Sequence, residues 1–238
     1  MQDFHFSTVS DIVVGADSSK QLGDMLVSMD VRRVLIVTDP GIIEFGLLDS
    51  ALESLQKHNI AVHIYSDVVA DPPAAVVVAA VKVAQDFACD GVVGFGGGSS
   101  MDVAKLLAVL IKGEQSLQDI YGVDQISGGR LPLIQVPTTA GTGSEVTMVS
   151  IITTGKTTKA GVVSRTLLAD KVILDARLTV GLPSAVTAAT GIDAMVHAIE
   201  AFTSKRLKNP LSDMLACEAL RLMANNLETA VKQGDNLE

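Results

Sequence analysis

The sequence predicts an α/β N-terminal domain with a mostly parallel sheet, followed by an incomplete all-α C-terminal domain. Three observations carry this prediction. Over the first 180 residues, short apolar runs rich in valine and isoleucine alternate with helical patterns, the signature of strands joined by crossover helices. After Pro183 glycine thins out. Beyond that point the only long patterns are helical, over residues 184–203 and 210–230, with Pro210 in a favourable first-turn position.

The strands fall at residues 34–38, 61–65, 91–95 and 133–136. Between them, residues 46–58 place Leu47, Leu48, Ala51, Leu52 and Leu55 on one helix face, and residues 74–88 form a second helix. Residues 151–163 read as a hairpin inserted on this domain, with the polar stretch 153–158 as its turn. Residues 232–238 are polar and bring no closing element, so the helical domain is expected to be unfinished. The expected division is 1–182 and 183–238.

Composition narrows the functional classes. A chain of 238 residues with 48% hydrophobic content can bury a sizeable core. Its apolar runs, such as residues 76–81, are far shorter than the roughly 20 residues of a membrane span. No basic stretch followed by a long apolar core opens the chain, so no secretory signal is expected and the expected location is cytoplasmic. A net charge of -9 and 3% aromatic content argue against nucleic-acid binding, which needs a basic footprint. Cys89 and Cys217 lack a CxxC partner and are expected to be reduced thiols in or near the core.

Four features can carry chemistry. Residues 94–105, Gly-Phe-Gly-Gly-Gly-Ser-Ser-Met-Asp-Val-Ala-Lys, follow a strand and open a helix. Their glycines let the backbone approach a ligand, and the N–H groups of a helix start suit an anion such as a pyrophosphate. The run is not a Walker A sequence, and the third glycine of the usual dinucleotide fingerprint falls on Ser99. A plain turn with Ser99 or Ser100 as helix cap is the competing reading. The second feature is the hydroxyl-rich loop 137–146, which follows the strand at 133–136 and should emerge at the same carboxyl edge of the sheet.

Asp39, just past the strand at 34–38, is the third. A carboxylate there can accept both hydroxyls of an adenosine ribose and repel a 2'-phosphate, favouring NAD over NADP. In Thr-Asp-Pro-Gly it also reads as a turn former. The fourth is the pair Asp193 and His197, which i,i+4 spacing puts on one helix face as half of a metal site, with Glu200 one turn further along. The competing reading is a polar helix face.

At these residues the sequence resembles the iron-containing (group III) alcohol dehydrogenase family, within the superfamily that also holds glycerol dehydrogenase and dehydroquinate synthase. GGGSSMDVAK at 96–105, PTTAGTGSEVT at 137–147 and GIDAMVHAIEAFTS at 191–204 occur in the family's order and spacing. The resemblance implies a dinucleotide-binding α/β domain over 1–182 and the start of a helical metal-binding domain over 183–238, incomplete because the chain stops before two further family histidines. It implies that Gly97, Gly98, Ser99 and Asp102 hold the pyrophosphate region, and that Thr138, Thr139, Thr142 and Ser144 line the phosphate and nicotinamide side. Asp39 and Asp71 would also belong to the cofactor site, Asp71 standing where the family usually has an asparagine before proline. Lys159 matches a family lysine near the nicotinamide ribose, counted among the catalytic groups with Asp193 and His197, the two metal ligands.

The implied activity is hydride transfer between a primary alcohol or aldehyde and NAD(H), assisted by Fe2+, with Zn2+ or another divalent metal as alternatives. Implied partners are a small alcohol or aldehyde and further copies of the chain in a homo-oligomer, with no nucleic acid and no membrane. Two other functions are compatible with the residues: a catalytically inactive nucleotide-binding fragment, motivated by the two absent histidines, and a dehydroquinate-synthase-like lyase that uses NAD as a transient oxidant.

Overall fold

A computed structural model of the chain describes residues 3–155 and 158–237. Lys156 and Thr157, the middle of the expected turn, lie outside the described residues, as do Met1, Gln2 and Glu238. The described residues form two compact units. One comprises Thr8–Thr138 and Ser144–Asp175; the other comprises the N-terminal residues up to Ser7, Thr139–Gly143 and the chain from Ala176 onward.

The larger unit contains β1 (Asp11–Val14), α1 (Leu22–Ser28), β2 (Arg33–Val37), α2 (Pro40–Glu44), α3 (Asp49–Lys57), β3 (Ala61–Tyr65), α4 (Ala74–Phe87), β4 (Gly91–Gly96) and α5 (Gly98–Lys112). It continues with β5 (Gly122–Val123), β6 (Leu133–Pro137), β7 (Val149–Thr153), β8 (Lys159–Val163) and β9 (Lys171–Leu174). Six strands make one sheet in the order β1-β9-β6-β4-β2-β3, and every pairing in it is parallel. A second sheet, β5-β8-β7, holds the expected hairpin, with Ile151 opposite Gly161 in antiparallel register.

Burial follows position in the sheet. The central strands β4 and β6 are buried along their whole length and are apolar or small throughout except at Gln135, whose side-chain amide donates to the Met101 carbonyl at 3.1 Å. The edge strands β1 and β3 alternate between more and less exposed positions. The core joins Leu35, Val37 and Val92 of the sheet to Val103, Leu106 and Leu107 of α5 and to Val77, Ala80 and Ala84 of α4. Each fully buried valine or leucine contributes about 1.5–3 kcal/mol, so α5, buried from Ser100 through Leu110 except at Asp102, is the best anchored helix of this unit.

Local chemistry sets the helix ends. The helix expected from Gly46 starts at Asp49, because Gly46 takes a left-handed φ of 66° and closes a turn after α2. In front of it stands the short α2, with Pro40 in its first turn and the Asp39 carboxylate accepting from the N–H groups of Gly41 and Ile42. β1 and β9 were not expected from the sequence; they pair with each other in parallel, Asp11 beside Lys171.

The smaller unit is built on α6 (Ser184–Thr203) and α7 (Pro210–Lys232), which pack together closely enough that a Cβ on Gly191 would meet Leu227 Cδ1 at 2.3 Å. Asn209 caps α7 by accepting from the Ser212 N–H at 2.9 Å. Cys89 is buried as expected, and burial pushes its thiol up to about 11. Cys217 is exposed instead, because it projects from a face of α7 that little covers. No described helix is long and apolar enough to cross a membrane.

Candidate functional site

In the larger unit, parallel pairing of β2 with β4 and of β4 with β6 brings Asp39, the glycine turn and Thr138 to the carboxyl edge of three adjacent strands. The Thr138 N–H donates to the Gly96 carbonyl at 3.0 Å and ties two of the loops together. Gly96 has φ 144°, a conformation that side chains rarely adopt. A Cβ there would lie 2.9 Å from Ser100 Oγ and 3.2 Å from Asp39 Oδ2, so glycine keeps this point of the edge open.

The first turn of α5 lies above that opening. Gly97 occupies the cap position and brings no side-chain acceptor, and no acidic residue stands in the first turn. Ser99 and Ser100 lie inside the helix rather than capping it, which sets aside the reading of the glycine run as a serine-capped turn. Backbone N–H groups at Gly98 and Ser99, the aligned dipole of a 15-residue helix and small side chains together suit an anion. Asp39 uses Oδ1 to cap α2, at 3.0 Å from Gly41 N, while its Oδ2 is the oxygen beside Gly96.

Asp102 is turned inward, with its side chain 16% exposed. Its Oδ1 accepts from Ser144 Oγ at 2.6 Å and from Lys105 Nζ at 3.3 Å, and its Oδ2 accepts from the Ile151 N–H at 2.9 Å. Lys105 is fully buried and also donates to Ser144 Oγ at 2.8 Å, Thr147 Oγ1 at 3.1 Å and the Val149 carbonyl at 2.8 Å. Burial lowers its pKa, and the neighbouring Asp102 and Glu145 oppose that effect; Glu145 is itself raised by burial. Lys105 and Thr147 end two of the motifs quoted above and Ile151 starts the expected hairpin, but none of the three was assigned a role there. A lysine inside the apolar run from Val103 to Leu110 was the available signal, since a buried charge needs built partners.

At the hairpin, Lys159 Nζ pairs with Asp71 Oδ1 at 2.6 Å. Thr153, opposite Lys159 across the strands, donates from its hydroxyl to the Asp71 carbonyl and from its N–H to the Pro72 carbonyl, both at 3.0 Å. The structure thus gathers Asp39, Gly97, Gly98, Ser99, Asp102, Thr138 and Ser144 into connected loops, and Asp71 and Lys159 into an ion pair.

The remaining sequence candidates lie in the smaller unit. Thr139 and Thr142 flank Gly141, where a Cβ would come within 2.9 Å of the Thr190 Cβ and carbonyl. Thr190 is less than one turn before Asp193 on α6. Asp193 Oδ1 and His197 Nε2 are 3.7 Å apart, and the two side chains are 48% and 49% exposed. Glu200 is exposed as well. Two donors at this spacing fit one divalent cation, yet among the described residues no group of three or more histidine, cysteine or acidic residues could hold one. A cavity of ≈ 180 Å³ in this unit, lined in part by Ala140, Thr190, Gly191 and Leu227, is smaller than the roughly 300 Å³ at which ligand pockets begin.

The family model described as iron-containing alcohol dehydrogenase matches residues 10–176, and that of the Fe-containing alcohol dehydrogenase family C-terminal region matches residues 187–238. Among curated relatives, long-chain-alcohol dehydrogenase 1 of Geobacillus thermodenitrificans is 42% identical over 94% of this chain and 57% of its own length. A crystal structure of a 1,3-propanediol oxidoreductase superimposes with a TM-score of 0.95 at 34% identity, over 99% of this chain and 62% of that one. The sulfoacetaldehyde reductase from Bifidobacterium kashiwanohense, solved in complex with NAD+, gives 0.89 at 31% identity over 99% and 62%. The chain therefore spans less than two-thirds of the length of these relatives.

Proposed function

Because the chain belongs to the iron-containing alcohol dehydrogenase family, we propose that it carries the NAD-binding part and the first two metal ligands of an oxidoreductase that moves a hydride between a primary alcohol or aldehyde and NAD(H). The observation that carries this reading is the open edge at Gly96, where a helix start without a side-chain cap and a carboxylate oxygen of Asp39 face one small-residue gap. The division into residues 1–182 for the dinucleotide and 183–238 for the metal is part of the same proposal.

Each residue then has a defined task. Gly97, Gly98 and Ser99 offer backbone N–H groups to the pyrophosphate, and the missing Cβ atoms let it approach. Asp39 accepts the ribose hydroxyls with the oxygen that does not cap α2 and repels a 2'-phosphate. Thr138, Thr139 and Thr142 supply hydroxyls to the phosphate and nicotinamide side, while Asp102 and Ser144 brace the loop from within. Lys159 lies beside the nicotinamide ribose, restrained by Asp71.

Asp193 and His197 are the residues that would hold the metal, ferrous iron first and zinc or another divalent ion second. When bound, such an ion supplies Lewis-acid polarisation of the alcohol or aldehyde oxygen, and NAD supplies the hydride acceptor. A two-donor site leaves the other coordination positions to water or further groups and is weak by itself. The working assembly is a homo-oligomer.

The test is NAD-dependent oxidation of short primary alcohols by the purified chain, under anaerobic conditions, with and without ferrous iron. Iron-dependent NADH formation that is lost in His197→Ala supports the reading. Saturable NAD binding with no turnover under any metal would reduce the chain to a nucleotide-binding module.

A further inference from the structure

The least expected group in the larger unit is Lys105, whose side chain is 0% exposed. Withdrawing an ammonium from water costs several kcal/mol, and a buried ion pair is often no more stable than apolar residues of the same shape. Stability alone therefore gives no reason for a lysine in the middle of an apolar helix. Its acceptors give one: besides Asp102 on its own helix, they run along residues 144–149, from the end of the hydroxyl loop into the hairpin. Asp102 is on α5, one turn past the glycine run; Ser144 lies in the hydroxyl loop and Thr147 just after it; Val149 begins β7, the partner of the strand that begins with Lys159.

Asp102 repeats the pattern from the other side. It holds Ser144 through Oδ1 and the Ile151 N–H through Oδ2, and its carbonyl accepts from Ser150 Oγ at 3.1 Å. The two side chains thus form one joint through which the glycine turn, the hydroxyl loop and the hairpin are held in a fixed relation. Glu145 adds a second, partly buried carboxylate close enough to attract the ammonium.

We propose that Lys105 is a positioning residue: its buried ammonium, joined to Asp102, sets the relative placement of the glycine turn, the Ser144 loop and the Lys159 hairpin that dinucleotide binding requires. This rests on the reading of the open edge as the dinucleotide site. Lys105 touches no ligand itself, since its ammonium is sealed inside. Its effect is carried by the backbone of the three segments.

The experiment compares the unsubstituted chain with Lys105→Met, with the charge-balanced pair Asp102→Asn plus Lys105→Met, and with Thr147→Val, which removes one acceptor and no charge. NADH affinity is measured by fluorescence titration at low temperature in samples whose helical signal and cooperative melting show them folded. Amide hydrogen exchange is followed over residues 96–100 and 144–151. Lys105→Met alone leaves Asp102 facing an unpaired site and can fail to fold, so the pair and Thr147→Val decide the matter.

The expected result is a Kd for NADH raised about ten-fold in the pair and about three-fold in Thr147→Val, with faster exchange in both segments. A role in stability alone would lower the melting temperature and leave Kd and exchange in the folded state unchanged; that result overturns the proposal. If the unsubstituted chain binds no NADH, it is the dinucleotide reading that fails. The exchange comparison then decides the positioning claim, with unchanged exchange over residues 96–100 counting against it.

Discussion

Asp71 Oδ1 lies 2.6 Å from Lys159 Nζ, an ion pair that crosses 88 positions of sequence and ties the hairpin to the segment before α4. Thr153 reinforces the junction with two hydrogen bonds to the backbone of Asp71 and Pro72. Both charged groups remain largely exposed to water, so the pair adds little to stability. On the proposed placement of Lys159 beside the nicotinamide ribose, its consequence is electrostatic: Asp71 partly cancels the positive charge that Lys159 would offer to an anionic dinucleotide.

Asp71→Asn should therefore tighten NADH binding, about two- to five-fold at low ionic strength, and the gain should vanish in about 1 M salt. Titrations at the two salt concentrations check this. Equal affinities for the two proteins at low salt would show that Asp71 has no influence on the cofactor.

Asp39 caps α2, and substitution can separate that cap from the cofactor selection proposed for its charge. Asparagine keeps the α2 cap and removes the charge, so Asp39→Asn should leave the melting temperature near its original value while improving binding of NADPH relative to NADH. Alanine removes the cap as well and should cost about 1 kcal/mol of stability in denaturant titration. An unaltered NADH/NADPH ratio in the asparagine variant would remove Asp39 from the site.

His58 joins α1 to α3: its Nδ1 is 2.8 Å from the Ser54 carbonyl and its Nε2 is 2.9 Å from Asp24 Oδ1. The hydrogen bond to Ser54, followed by desolvation in the opposite sense and then the Asp24 carboxylate, leaves its pKa above the ordinary 6.5. A raised folded-state pKa means that the contribution is fully present below 6.5 and is lost as pH rises through the higher folded value. Melting curves from pH 5.5 to 8.5 should fall in that window for the native chain and flatten in His58→Gln. A parallel fall in both proteins would assign the pH dependence to other groups.

The helical unit leaves Ile192, Val196 and Ile199 of α6 and Leu211, Met214 and Leu215 of α7 exposed. Apolar stripes of this kind promote association in water. Sedimentation velocity should show mass increasing with protein concentration, and Leu215→Lys should reduce it. A single monomeric species across the range would contradict the expected homo-oligomer.

Sequence patterning located α6 at its observed ends, because a 20-residue helix repeats its signal many times and Pro183 precedes it. The hairpin and the four strands at 34–38, 61–65, 91–95 and 133–136 also lie within a few residues of the observed elements. β1 and β9 escaped because each has four residues and is defined by its partner far away in sequence, Asp11 beside Lys171. The site divides in the same way. Gly97, Asp39 and Asp193 can be proposed from the sequence because the chemistry proposed for them depends on local spacing. The Lys105 joint cannot, because Ser144 and Val149 come to it only through the fold.

The most direct test of the account is fluorescence titration of the purified chain with NADH and, separately, with NADPH. Saturable binding of one NADH per chain, with NADPH about ten-fold weaker or more, is the predicted result. No saturable binding of either, or equal affinity for both, would contradict the assignment of the open edge at Gly96 and Asp39 to NAD.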